Sequence, residues 1–208
     1  MTRQEIADAV ARLLGTEVRR FDFINGGRNN RVGRVSSDGG EFAVKAYFRD
    51  PRDRRTRLRA EYSMLEFLWR CGVRCIPEPL AVDRDLDIAV YRFVEGERPV
   101  AEALDAADTG ALAALLGTMW ALRGEAGAGA LDTASEACFS VADYVDVVTR
   151  RRQRVVSHLG EELDDTRARA FLDGPFFRVL AEARTNAEAA ADDAAALPPD
   201  AWTLSPSD

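Results

Sequence analysis

The run FAVKAYF, Phe42 to Phe48, decides how this chain is read, because Lys45 within it is the sole lysine among 28 basic residues. All the other basic residues are arginine. Strand-forming neighbours flank it, and strand alternation puts Phe42, Val44 and Ala46 on one face and Ala43, Lys45 and Tyr47 on the other. A chain that uses arginine everywhere else keeps a compact ammonium where a planar guanidinium will not serve. Contact with phosphate oxygens as a point charge is one such role. A solvated lysine on a half-exposed strand is the other reading of this residue taken alone, and its surroundings decide between them.

Upstream, Thr2-Arg3-Gln4-Glu5 has the form of a capping box opening an amphipathic helix with Ile6, Val10, Leu13 and Leu14 on one side and Gly15 as its stop. Glu17 to Ile24 reads as a strand with Val18, Phe21 and Phe23 as apolar members. Asn25 to Val35, NGGRNNRVGRV, is a turn re-entering a strand, and Ser36 to Gly40 is a hairpin connection into a third strand, Glu41 to Phe48. Downstream, Arg52 to Arg70 carries Leu58, Tyr62, Leu65, Phe67, Leu68 and Trp69 at helical spacing, with Gly72 as a stop. Two prolines in Ile76-Pro77-Glu78-Pro79 require a loop. Leu80 to Asp83 and Asp87 to Phe93 are two further strands, so the local expectation is five strands crossed by one helix.

Beyond Glu95-Gly96 strand signals almost vanish. Asp108 to Arg123, Val141 to Leu159, Asp164 to Leu172 and Pro175 to Ala196 read as alanine-rich helices, and Trp202-Thr203-Leu204 as the start of a strand. The composition shift predicts an α+β lobe over residues 1–95 and a helical lobe over 96–208. A net charge of −7 excludes a general nucleic-acid binder. Arginines 49, 52, 54, 55, 57 and 59, interrupted by Asp50 and Asp53, read as a solvated loop and helix start, with a phosphate-facing rim as the alternative. Cys71, Cys75 and Cys138 fit neither a zinc pattern nor a disulfide framework and are expected as reduced thiols in or near the core. No signal-peptide run or membrane-length apolar segment occurs, which points to a cytoplasmic protein without a membrane partner. His158 sits on a helical stretch without a metal-type neighbour, so no metal ligands are assigned.

Four features fall in order: a glycine-containing turn between strands, Lys45 on the next strand, Glu61 sixteen residues on in the crossing helix, and the lobe junction at Tyr91 to Glu95. Glycine lets backbone N–H groups approach a phosphate chain, and a helix-borne carboxylate can hold an ammonium in place. Such parts serve phosphoryl transfer, which depends on positioning and charge stabilisation. The runs INGGRNNRVGRV, EFAVKAYF, RAEYSMLEFL, GVRCIPEPLAVD and AVYRFVEGE, from about Ile24 to Pro99, resemble the aminoglycoside phosphotransferase and choline-kinase-like family of small-molecule kinases, and the resemblance returns in TLSPSD.

That resemblance implies an α+β, protein-kinase-like fold: an N-terminal lobe with a five-stranded antiparallel sheet and a crossing helix, then an incomplete, mainly helical C-terminal lobe. It implies that Lys45 contacts the α- and β-phosphates of ATP or GTP and that Glu61 pairs with it. Gly26, Gly27, Arg28, Asn29 and Asn30 form the loop over the nucleotide. Ala43 lies against the base, Tyr91 at its back, and the backbone of Arg92 and Val94 along its edge. Asp208 is implied as the base that accepts the proton of a small-molecule hydroxyl. Pro206-Ser207 stand where the family usually has His-Gly, and the residues that hold Mg²⁺ in the family would follow Asp208. The expectation is therefore an N-terminal portion of a phosphotransferase, inactive by itself, with Mg²⁺ required only by a completed chain. A non-catalytic nucleotide-binding or protein-interaction remnant is the alternative. Acids in the later helices, Glu161, Glu162, Asp164, Asp165, Asp192 and Asp193, suit either a cationic substrate or a solvated face.

Overall fold

The computed structural model describes residues 1–24, 30–48, 56–97, 99–134, 136–161, 165–190, 197–198 and 201–204. Helix α1 (Arg3–Leu14) begins with both halves of the capping box: Thr2 accepts from the Glu5 N–H, and the Glu5 carboxylate accepts from the Thr2 N–H. It ends at Gly15, whose φ of 63° is left-handed and costs glycine little. Strands β1 (Val18–Ile24), β2 (Arg31–Ser37) and β3 (Gly40–Ala46) form a meander. Helix α2 (Arg57–Arg70) follows, then β4 (Pro79–Asp83) and β5 (Ile88–Arg92). The five strands lie in the order β1-β2-β3-β5-β4, every pair antiparallel. Strand β5 is interior, and Ile88, Ala89, Val90 and Tyr91 are all buried. An apolar run of this kind belongs where both faces of a strand are covered.

The alternation along β3 divides two cores. Phe42, Val44 and Ala46 join Phe21, Val35, Ile88 and Val90 beneath Ile6, Ala9 and Val10 of α1. On the opposite face Tyr47, Ala89 and Tyr91 meet Leu58 and Tyr62 of α2, with Ala43, Leu65 and Val82 at the margin. The charged turn between β4 and β5 is closed by Asp83, whose carboxylate accepts from the Asp85 and Leu86 N–H groups at 3.0 and 2.9 Å. Asp87 has a φ of 52°, which is why β5 starts at Ile88 and not at Asp87 as the sequence pattern predicts.

Helix α3 (Ala106–Ala121) opens on a second capping box, Asp105 with Asp108. Phe67, Leu68 and Val73 bury Met119 of this helix in a third cluster, to which Leu204 adds a half-buried side chain. These elements, Met1–Asp132 with Leu204, make up one compact unit, and Thr133–Thr203 make up the other. The second contains α4 (Val141–Glu161), α5 (Thr166–Asp173) and α6 (Pro175–Ala190). Arg152 ties α4 to the end of α5 through Asp173 at 2.7 Å and covers the Phe177 ring at 4.7 Å.

The structure meets some of the expectations drawn from the sequence and departs from others. Trp202-Thr203-Leu204 forms no strand: the Trp202 ring packs 4.2 Å from that of Phe139, and its Nε1 donates to the Leu197 carbonyl. Phe23 is 42% exposed, its ring meeting Phe21 edge-on at the sheet margin. Cys75 is exposed, whereas Cys71 and Cys138 are half-buried, and all three are free thiols. Asp165 caps α5, accepting from the Ala168 N–H at 2.9 Å, which commits that carboxylate to the helix end. Among the described residues no helix is long and apolar enough to cross a membrane.

Candidate functional site

The face of the sheet toward α2 carries the residues that the sequence singles out. Lys45 leaves β3 on this face, and its Nζ donates to Glu61 Oε2 of α2 at 2.5 Å. The lysine side chain is 22% exposed and the glutamate 37%, so the pair is shielded yet open to a ligand on one side. Nζ also stands 4.8 Å from the centre of the Tyr47 ring, a cation–π contact that holds the aliphatic stem against β3. Behind it the phenols of Tyr47 and Tyr91 share a buried hydrogen bond, 2.9 Å between oxygens. Burial pushes both phenols well above the ordinary tyrosine range; the neighbouring Tyr91 and the Glu61 carboxylate add to the rise at Tyr47. Neutral phenols therefore back a charged pair.

Register identifies further members of this face that pattern reading missed. Val32 lies opposite Lys45, and Arg34 opposite Ala43, and directly paired residues share a side of the sheet. The hairpin that pairs Ser37 with Gly40 fixes this register, and counting back from it would have found both residues. Val32, Ala43 and Lys45 thus form a row of small apolar surface ending in an ammonium.

The junction after β5 offers backbone groups on the same face. Tyr91 pairs with Ala43, and Phe93 N–H donates to the Glu41 carbonyl at 3.2 Å. Alternation then points the Arg92 peptide groups away from β3, and its N–H is taken by the Glu78 carbonyl at 2.9 Å. The Arg92 side chain turns to the other face, over the Phe42 ring and toward Glu78. Val94 is 61% exposed, and among the described residues its N–H has no hydrogen-bond partner. The Asn30 carboxamide oxygen accepts from the Phe48 N–H at 3.1 Å, tying the residue before β2 to the second residue after β3.

Gly26, Gly27, Arg28, Asn29 and Asp208 lie outside the described residues, as do Glu162, Asp164, Asp192 and Asp193. Among the described residues no three His, Cys, Asp or Glu side chains gather as a metal site requires, and none of them is assigned to Mg²⁺. The structure therefore unites Asn30, Ala43, Lys45, Glu61, Tyr91, Arg92 and Val94 in one unit around one sheet face.

The fold is shared with solved phosphotransferases. A spectinomycin phosphotransferase in complex with ADP and spectinomycin superposes with a TM-score of 0.57 at 13% identity, over 93% of this chain and 60% of that one. A protein from Ralstonia eutropha, named for aminoglycoside phosphotransfer, gives 0.50 at 15% identity, over 82% of this chain and 51% of that one. The chain thus spans between half and two thirds of the length of either structure. These likenesses establish the fold, an α+β protein-kinase-like arrangement of a five-stranded antiparallel sheet, a crossing helix and a helical C-terminal portion. Comparison with curated protein sequences found no match. A family model matches residues 20–204, nearly the whole sheet unit and the helices after it, and by that match the chain belongs to the phosphotransferase enzyme family.

Proposed function

We propose that the chain supplies the nucleotide seat of a small-molecule phosphotransferase, which moves the γ-phosphate of ATP or GTP to a hydroxyl of an aminoglycoside- or choline-like acceptor. The observation that carries this reading is the Lys45–Glu61 bond of 2.5 Å, on the sheet face that also holds Val32 and Ala43. An ammonium held by one carboxylate keeps N–H donors to spare for phosphate oxygens, and the adjacent apolar row suits the flat face of a base. Residues 1–95 form the nucleotide-binding lobe in this reading, and residues 96–208 contribute to the acceptor side. The Arg92 carbonyl and Val94 N–H meet the base edge, Tyr91 closes the space behind it, and the loop from Gly26 to Asn30 covers the phosphates. Asp208 acts as the base toward the acceptor hydroxyl.

Family membership supports the reaction class, and the relative solved with ADP supports the choice of a nucleotide. The test is a thermal-shift titration with ATP, with and without Mg²⁺, on the unaltered chain and on Lys45→Ala. A rise in melting temperature confined to the unaltered chain is expected; equal rises in both proteins remove the seat from Lys45.

A further inference from the structure

Arg34 stands in the middle of β2, on the sheet face that carries Lys45. Its guanidinium makes two ionic hydrogen bonds in different directions: Nε donates to Glu41 Oε2 of β3 at 2.7 Å, and Nη2 donates to Glu95 Oε1, beyond the end of β5, at 2.5 Å. The same planar group covers the Phe93 ring, 4.2 Å from its centre. Glu41 therefore holds the segment after β5 twice, through its own carbonyl on the Phe93 N–H and through its carboxylate on Arg34. The Arg34 bond keeps the Glu41 carboxyl below its usual range, with a smaller contribution from Ser36.

Stability does not account for this arrangement. Arg34 and Glu41 are 38% and 39% exposed and Glu95 is 72% exposed, and ion pairs in such settings add little. Its geometric effect is larger, because a guanidinium stacked on a ring and forked between two carboxylates has one orientation. The segment it fixes contains the Arg92 carbonyl and the Val94 N–H. Alongside the Phe93 N–H bond and the Arg92 guanidinium over the Phe42 ring, Arg34 ties this segment to β2 and β3.

We propose that Arg34 is a positioning residue for the base of the nucleotide: by clamping Phe93 and Glu95 to β3, it holds the Arg92–Val94 backbone edge in register with Ala43 and Lys45. This rests on the reading that Lys45 seats the phosphates, and it separates two sources of affinity. Phosphate recognition depends on Lys45 and Glu61, whereas recognition of the base depends on the edge that Arg34 orders.

The experiment compares ATP with inorganic tripolyphosphate by isothermal titration calorimetry, using the 208-residue chain and the variants Arg34→Met, Arg34→Lys, Glu95→Gln and Lys45→Ala. Arg34→Met weakens ATP about tenfold, the order of loss expected when a pre-organised edge must be ordered during binding, and leaves tripolyphosphate within about twofold. Arg34→Lys does not restore ATP binding, because an ammonium cannot stack and fork at once. Glu95→Gln removes one exposed charge without threatening the fold and shifts ATP in the same direction by less. Lys45→Ala weakens both probes. Unchanged ATP affinity in Arg34→Met and Glu95→Gln overturns the proposal, and so does an equal loss of both probes, which marks a merely structural role. If the unaltered chain binds neither probe, the Lys45 seat itself fails and this assignment falls with it; binding that is indifferent to Arg34 sinks this assignment alone.

Discussion

Tyr47, just past the end of β3, and Tyr91 of β5 place their phenolic oxygens 2.9 Å apart in the core between the sheet and α2. Relative exposures of 7% and 4% leave water little access to either hydroxyl, so Tyr91 depends on Tyr47 as its partner, whereas Tyr47 also has the Glu61 carboxylate within reach. Tyr47→Phe strands the buried Tyr91 hydroxyl, at a cost of about 1–3 kcal/mol, and Tyr91→Phe costs less because the Tyr47 hydroxyl keeps the Glu61 carboxylate. The double Phe variant removes both groups together and costs less than the sum of the single changes. Urea denaturation of the four proteins measures the difference; strict additivity would contradict the shared bond.

The same pair dictates an alkaline limit. Burial, together with the neighbouring groups, raises both phenols above the ordinary value in the folded chain, whereas in the unfolded chain they ionise near pH 10. Below that pH neither state has lost the proton, and the contribution to stability is complete. Above it the unfolded chain releases protons that the folded chain retains, so stability falls as pH rises. Chemical denaturation between about pH 8 and 11 should show this decline. The double Phe variant should lose most of the slope, with Tyr62, also raised chiefly by burial, contributing a remainder.

Lys45→Ala removes the charged donor of the seat and should weaken ATP about 10- to 100-fold, the range of a charge-assisted hydrogen bond. Lys45→Arg should not rescue it: beside Tyr47 and Glu61 the guanidinium has neither the room nor the point-charge geometry. Glu61→Gln keeps a hydrogen-bond acceptor but loses the charge, and should give an intermediate loss. Direct titration of ATP into each protein orders the series, and an Arg variant that binds normally would contradict it.

Strand alternation made the placement of Lys45 and Ala43 legible, because two buried faces leave a period of two no freedom to slip. Glu61 was legible only through its spacing in a recognised family; helix periodicity alone leaves it a solvated acid. Arg34 escaped notice because its partner Glu95 is 61 residues away and lies on no periodic pattern. Long-range polar pairs carry no local signal, and a β2–β3 register must be drawn before Arg34 can be set opposite Ala43. Trp202-Thr203-Leu204 misled for a related reason. Its β-forming composition is spent on side-chain packing, Trp202 on Phe139 and Leu204 on the cluster around Met119.

Gly33 is a packing requirement of the sheet. A Cβ built there would lie 2.6 Å from the Phe21 ring tip, while Phe23 meets the same ring edge-on at 4.9 Å and Arg3 covers it at 5.6 Å. The ring has little room to retreat, so Gly33→Ala should cost about 1–3 kcal/mol through overpacking. In a Phe21→Leu background the same change should cost less, since the shorter side chain vacates the contact. Thermal unfolding of both pairs checks this; equal penalties would show that the crowding lies elsewhere.

The two faces of the sheet should separate stability from binding. Ile6 of α1 is 1% exposed among Val35, Val44 and Val90, on the side opposite Lys45. Ile6→Ala leaves a cavity there and should lower stability by about 2–5 kcal/mol. Nucleotide affinity per folded molecule should stay the same, because the changed packing lies across β3 from Ala43 and Lys45. Lys45→Ala should reverse the pattern, losing ATP affinity while unfolding near the same urea concentration. Measuring urea midpoint and ATP affinity on Ile6→Ala, Lys45→Ala and their combination completes the cycle. Additive effects in both measurements are expected, and an ATP affinity that fell with Ile6→Ala would mean that α1 helps to shape the seat as well as support it.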